Sequence, residues 1–134
     1  MSNLTDTIEN LEGLKYFGEV TDIDILDSQD KLGVFFASDY VEMVKRFGYV
    51  SAKGFDFIGI SDNDDSNVVN KTKIERRNNN AFPGELYIIE DIASDNVRVA
   101  QDKNGEVYYI FDNMTPIRIC KGIAEYIAVR KKAM

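Results

Sequence analysis

A chain of 134 residues, 44% hydrophobic and 29% charged, is long enough to fold around its own core, and this balance excludes a disordered polymer. Its net charge of −7 disfavours nonspecific binding to nucleic acid or anionic lipid. The absence of histidine removes the commonest general base and zinc ligand, and the lone cysteine, Cys120, excludes an intrachain disulfide.

Leu4, Ile8 and Leu11 recur at helical spacing behind Thr5 or Thr7, which predicts a first helix running to Leu14. The start, MSNLTDTIENLEG, lacks the basic residues and apolar centre of a signal peptide. Nowhere does an apolar run approach the ~18–20 residues of a membrane helix. With one unpaired thiol, a cytoplasmic protein with no membrane contact is expected. Thr21 is a natural N-cap for a second, short helix, with Asp22 and Asp24 in the first turn where the helix dipole favours negative charge. Ser38 is the expected cap of a third helix, with Asp39 in its first turn and Tyr40, Val41, Val44 and Phe47 as its buried stripe. Gly48 ends it.

Phe55, Phe57 and Ile60 suggest a strand after Gly54. Ser66 then caps a helix with Val68, Val69 and Thr72 inward, which decays into the asparagine-rich run at 76–80. From Phe82 to Asn113 the pattern is three strands, ELYIIEDI, NVRVAQD and EVYYIFD, with a Pro83-Gly84 turn before the first. Asn104-Gly105 is a strong hairpin signal because both central residues of a type I′ turn need positive φ. A two-residue loop there sets Lys103 opposite Glu106, Val99 opposite Ile110 and Arg98 opposite Phe111. Val97, Val99 and Ile110 then share one face, and Ala100, Val107, Tyr109 and Phe111 the other, so the hairpin belongs inside the sheet. A last helix is expected from about Cys120, with a stripe at Ile119, Ile123, Tyr126 and Ile127. Arg130, Lys131 and Lys132 stand at its C-terminal end. Terminal helices around a block of strands predict an α+β fold: one domain over 1–134, with a largely antiparallel sheet and helices packed on it.

These residues carry little reaction chemistry. No phosphate-cradling glycine loop occurs, and no pair of acids is singled out by spacing, so an enzyme is not expected. Asp62-Asn63-Asp64-Asp65-Ser66 begins like a calcium loop. Counted from Asp62, however, the sixth position is Asn67 rather than glycine and the twelfth is Lys73 rather than glutamate. No metal or cofactor is expected. Lys71, Lys73, Arg76 and Arg77 form a small basic group without stacking aromatics, short of a nucleic-acid footprint. Cys120 is expected to be a buried structural thiol. Tyr108 and Tyr109 point to opposite faces, so one of them can approach a surface.

The stretch from Leu32 to Gly48 and the strand block together resemble the SUKH superfamily, and most closely its YobK-type bacterial immunity proteins. Leu32, Gly33, Tyr40 and Gly48 match the first part of that pattern. Leu86, Ile89, Asp91, Gly105, Val107, Tyr108 and Asp112 match the second. Phe36-Ala37 replaces the usual Leu-Pro, and Gly48-Tyr49 replaces Gly-Gly. The resemblance implies an immunity protein, or antitoxin, that binds and neutralises a cognate secreted or contact-delivered bacterial toxin. Nucleases, with their basic grooves, are one class of such toxins. Charge agrees with a basic partner: residues 1–66 hold fourteen acids and five bases, and residues 67–134 nine acids and eleven bases. The candidate contact residues are Glu19, Asp22, Asp24, Asp27, Asp30, Asp62, Asp64 and Asp65, although solubility and helix capping explain any one of them alone. Eukaryotic members of the superfamily imply an alternative, a regulatory or scaffold domain without a toxin partner. A third reading is a small-ligand binder with a cleft beside the sheet. Monomer and homodimer both remain open.

Overall fold

A computed structural model describes residues 4–134, so the first three residues of the expected domain lie outside the described residues. The order of elements is α1 (Leu4–Glu9), β1 (Lys15–Tyr16), α2 (Asp22–Leu32), α3 (Ser38–Phe47), β2 (Val50–Ala52), β3 (Phe55–Phe57), α4 (Val68–Asn78), β4 (Tyr87–Ile92), β5 (Val97–Gln101), β6 (Val107–Ile110), β7 (Ile117–Cys120) and α5 (Ile123–Ala133). The strands form one antiparallel sheet in the order of the chain, β1 to β7, and the fold is α+β as expected.

Neighbouring residues on a strand point to opposite faces, and β4 shows which helix covers which face. Asp91 accepts from Lys71 of α4 at 3.4 Å, whereas Glu90 is met by Tyr126 and Arg130 of α5. α4 therefore covers one face and α5 the other. α2 packs on α4, and α1 packs on α3 and α5. Sandwiched in this way, β4 runs Tyr87-Ile88-Ile89-Glu90 fully buried, the continuous pattern of a central strand. Tyr87 is tied in by its hydroxyl, which accepts from Ala37 N at 2.8 Å and donates to Gln101 Oε1 at 2.8 Å. Burial, first of all, pushes that hydroxyl far above its usual titration range.

The hairpin forms and lies inside the sheet, but its register differs from the expectation by one residue. Arg98 faces Ile110 rather than Phe111, and Val99 faces Tyr109 rather than Ile110. The loop holds three residues. Gly105 N donates to Asp102 O at 3.0 Å, and Gly105 takes φ +95°. The Asp102 carboxylate also accepts from the amides of Asn104 (2.9 Å) and Glu106 (3.1 Å). A turn closed by a left-handed glycine is the usual three-residue alternative to type I′. A slip of one residue exchanges faces: Tyr109 and Val107 join Val97 and Val99, while Ile110 joins Ala100.

Several boundaries also move. α1 ends at Glu9 rather than Leu14. Ala37, not Ser38, is the N-cap of α3, and no side chain caps it. Asp39 is used elsewhere, accepting from Ile123 N at 2.9 Å and Gln101 Nε2 at 2.9 Å. Ser66 closes a 3₁₀ turn, Asp64–Ser66, and the cap of α4 is Asn67. Ile119 and Cys120 belong to strand β7, so the last helix starts at Ile123. Their spacing to Ile123, Tyr126 and Ile127 imitates a helical stripe across the break at Gly122, which is fully extended at φ −178°.

Candidate functional site

α2 starts where Thr21 Oγ1 accepts from Asp24 N at 3.2 Å, and ends at Gly33, whose amide donates to Gln29 O at 2.7 Å. Only Ile25, Ser28 and Leu32 of this helix are buried; its acids face outward. Opposite α2, the segment from Ile60 to Asn67 is held by short polar side chains. Asn67 Oδ1 accepts from Val69 N (2.9 Å) and Asn70 N (3.2 Å), while its Nδ2 donates to Ser61 O (2.8 Å). Asn63 Oδ1 accepts from Asp65 N at 2.9 Å, and Asn70 Nδ2 donates to Asp64 O at 3.2 Å. Gly59 makes the close crossing beneath: a Cβ there would lie 1.6 Å from Gly48 O. Only glycine fits, because the chains touch backbone to backbone.

Between these segments lies a groove of about 600 Å³. Phe17, Val20, Ile60 and Val69 supply its apolar lining, and Glu19, Asp24, Asp27, Asp62 and Asp64 its carboxylates. Lys31 and Lys73 are the lining lysines, so acids outnumber bases five to two. Lys31 reaches Asp27 at 2.9 Å, an exposed i,i+4 pair of small energetic weight. Five of the eight sequence-selected acids thus line one groove although a stretch of more than thirty residues separates Asp27 from Asp62. Asp22, Asp30 and Asp65 do not line it: Asp22 pairs with Lys45 at 3.0 Å, and all three are exposed.

Sequence reasoning missed the apolar partners of these acids. Phe17 is 57% exposed and stacks on Tyr49 with ring centroids 5.8 Å apart. Ile23 and Leu26 are 78% and 60% exposed on α2. The available signal was that Ile23 and Leu26 fall out of phase with Ile25 and Leu32 on a 3.6-residue period.

The other groups singled out from sequence are mostly engaged in structure. Arg76 Nη2 donates to Leu32 O (2.8 Å) and Gly84 O (2.9 Å), and Lys71 is used on Asp91. Cys120 is buried, and burial pushes its thiol above the usual range. Tyr108 donates to Asp102 Oδ2 at 3.0 Å, and Tyr109 rests edge-on to Phe111. Among the described residues, no group of three or more His, Cys, Asp or Glu is placed to hold a metal ion, and no helix is long and apolar enough to cross a membrane.

In comparisons with known proteins, residues 22–127 match the SUKH family model described as SMI1-KNR4 cell-wall. The match takes in everything from the first residue of α2 to the middle of α5, and hence most of the groove. No curated protein matches the chain.

Proposed function

The chain belongs to the SMI1-KNR4 family of the SUKH superfamily, and from that membership we propose that it is an immunity protein that binds and neutralises a cognate bacterial toxin. One observation supports this most: a groove whose carboxylates come from two distant stretches of chain, brought together over an apolar lining. Carboxylates on a rigid rim attract a basic surface from a distance and speed its encounter. The apolar lining then supplies the desolvated contact from which affinity comes. A nuclease domain fits this chemistry, since its own groove is basic in order to hold phosphate. The immunity protein blocks that cavity and performs no reaction.

The description of the matching family, SMI1-KNR4 cell-wall, favours a second reading, a regulatory interaction domain with no toxin partner. Co-expression separates the two. Candidate toxins from the neighbouring genes are expressed alone and together with this chain. Restored growth and a stable one-to-one complex are expected; growth arrest in both cultures rejects the immunity reading and leaves the regulatory one.

A further inference from the structure

α2 carries four large apolar residues, and two of them, Ile23 and Leu26, stand 78% and 60% exposed while Ile25 and Leu32 enter the core. Isolated exposed apolar side chains are ordinary on protein surfaces. These two are not isolated, because residues three and four apart on a helix are neighbours. Ile23 adjoins Leu26 and Asp27, Leu26 adjoins Asp30, and Asp27 adjoins Asp30. The four form one contiguous exposed diamond on the outer crest of α2, which meets the groove at Asp27 while Ile23, Leu26 and Asp30 lie outside its lining. Folding leaves most of the Ile23 and Leu26 surface in water. Surface helix positions are better filled by polar helix formers, so this pair is costly for solubility without a contact to justify it.

We infer that this crest is a docking surface, and that its occupant is a protein surface with an apolar slot ringed by lysine or arginine. Charge complementarity sets the occupant. Asp27 and Asp30 lie in the patch, and Asp22 and Asp24 lie on the same helix, so an acidic partner or a second copy of this helix is repelled. A purely basic partner leaves Ile23 and Leu26 in water, whereas an apolar slot removes them from it. This deepens the proposed function and rests on it: the acids steer the encounter, and Ile23 with Leu26 act as the anchors that slow dissociation.

The test uses the full chain, labelled with ¹⁵N, and two probes: a peptide of leucine and lysine alone, and an oligolysine of the same charge. The leucine-containing peptide is expected to shift the α2 amides and to bind at least about tenfold more tightly than oligolysine. In the double variant Ile23→Gln/Leu26→Gln that preference is expected to vanish, with thermal midpoint and circular dichroism unchanged, since glutamine is a good helix former. A double variant that keeps the preference, or leucine-dependent shifts that map away from α2, overturns the crest and leaves the acidic groove standing. Absence of any shift by oligolysine at low salt, on α2 or on residues 61–65, counts against the acidic reading itself.

Discussion

Replacing Arg98 with methionine is expected to destabilise the protein by about 3–5 kcal/mol, the usual cost of leaving a buried charge without its partner. Arg98 Nε and Nη2 each donate to a Glu75 carboxylate oxygen at 2.7 Å, and Nη2 also reaches Asp112 Oδ1 at 2.6 Å. Glu75 is only 7% exposed, and without the guanidinium it keeps a single neutral donor, Asn79 Nδ2 at 2.8 Å. This pair joins α4 to β5, so its loss loosens the helix against the sheet face it covers. Hydrogen bonding to Glu75, above all, holds the guanidinium far above its ordinary titration range. Replacing both partners, Glu75→Leu with Arg98→Met, is expected to recover most of the loss, because the desolvation cost goes with the charge. Urea unfolding followed by circular dichroism measures both. An Arg98→Met midpoint equal to wild type contradicts the account.

Arg130→Met is expected to cost a similar amount, about 3–5 kcal/mol near neutral pH, with a pH dependence set by Glu90. Glu90 is 2% exposed at the centre of the sheet. Its Oε1 accepts from the Tyr126 hydroxyl and from Arg130 Nη1 (2.8 Å), and its Oε2 from Asp56 N (2.8 Å). Arg130 also donates to Gly54 O at 2.7 Å and lies over the ring of Phe55 at 5.1 Å. Burial holds the Glu90 carboxyl above its usual range even with Arg130 present, and removing the guanidinium raises it further. A carboxyl raised in the folded state binds more protons folded than unfolded. Its contribution to stability is therefore complete below the ordinary glutamate range and is lost as pH rises through the raised value. The deficit of Arg130→Met is accordingly expected to shrink as pH falls from neutral toward that ordinary range. Urea titrations across the interval measure it, and a deficit independent of pH rejects the assignment.

How much of this could be read from the chain depends on whether the information is local. The Asn104-Gly105 hairpin announced itself, but its register turned on the Asp102 carboxylate, which holds a three-residue loop by accepting from two amides. β1 and β2, at two and three residues, are too short to show alternation and owe their existence to pairing, β1 with β2 and β2 with β3. β7 was hidden because Ile119 happens to continue the stripe of α5. Among the candidate contacts, charge picked out Glu19, Asp24, Asp27, Asp62 and Asp64, but only the packing of α2 on α4 makes them walls of a single groove. No local pattern encodes that packing, and it also explains why Asp22, Asp30 and Asp65, equally acidic, fall outside. Ile23 and Leu26 were passed over for the opposite reason: an apolar residue on a helix is read as core until the core is seen to lie on the other side.

The rate at which this protein associates with the toxin proposed as its partner, measured by stopped flow across a range of salt concentrations, tests the acidic groove most directly. The double variant Asp62→Lys/Asp64→Lys is predicted to associate about tenfold or more slowly than wild type at low salt, with the two rates converging as added salt screens the field. Equal rates and equal salt slopes for the two proteins contradict it.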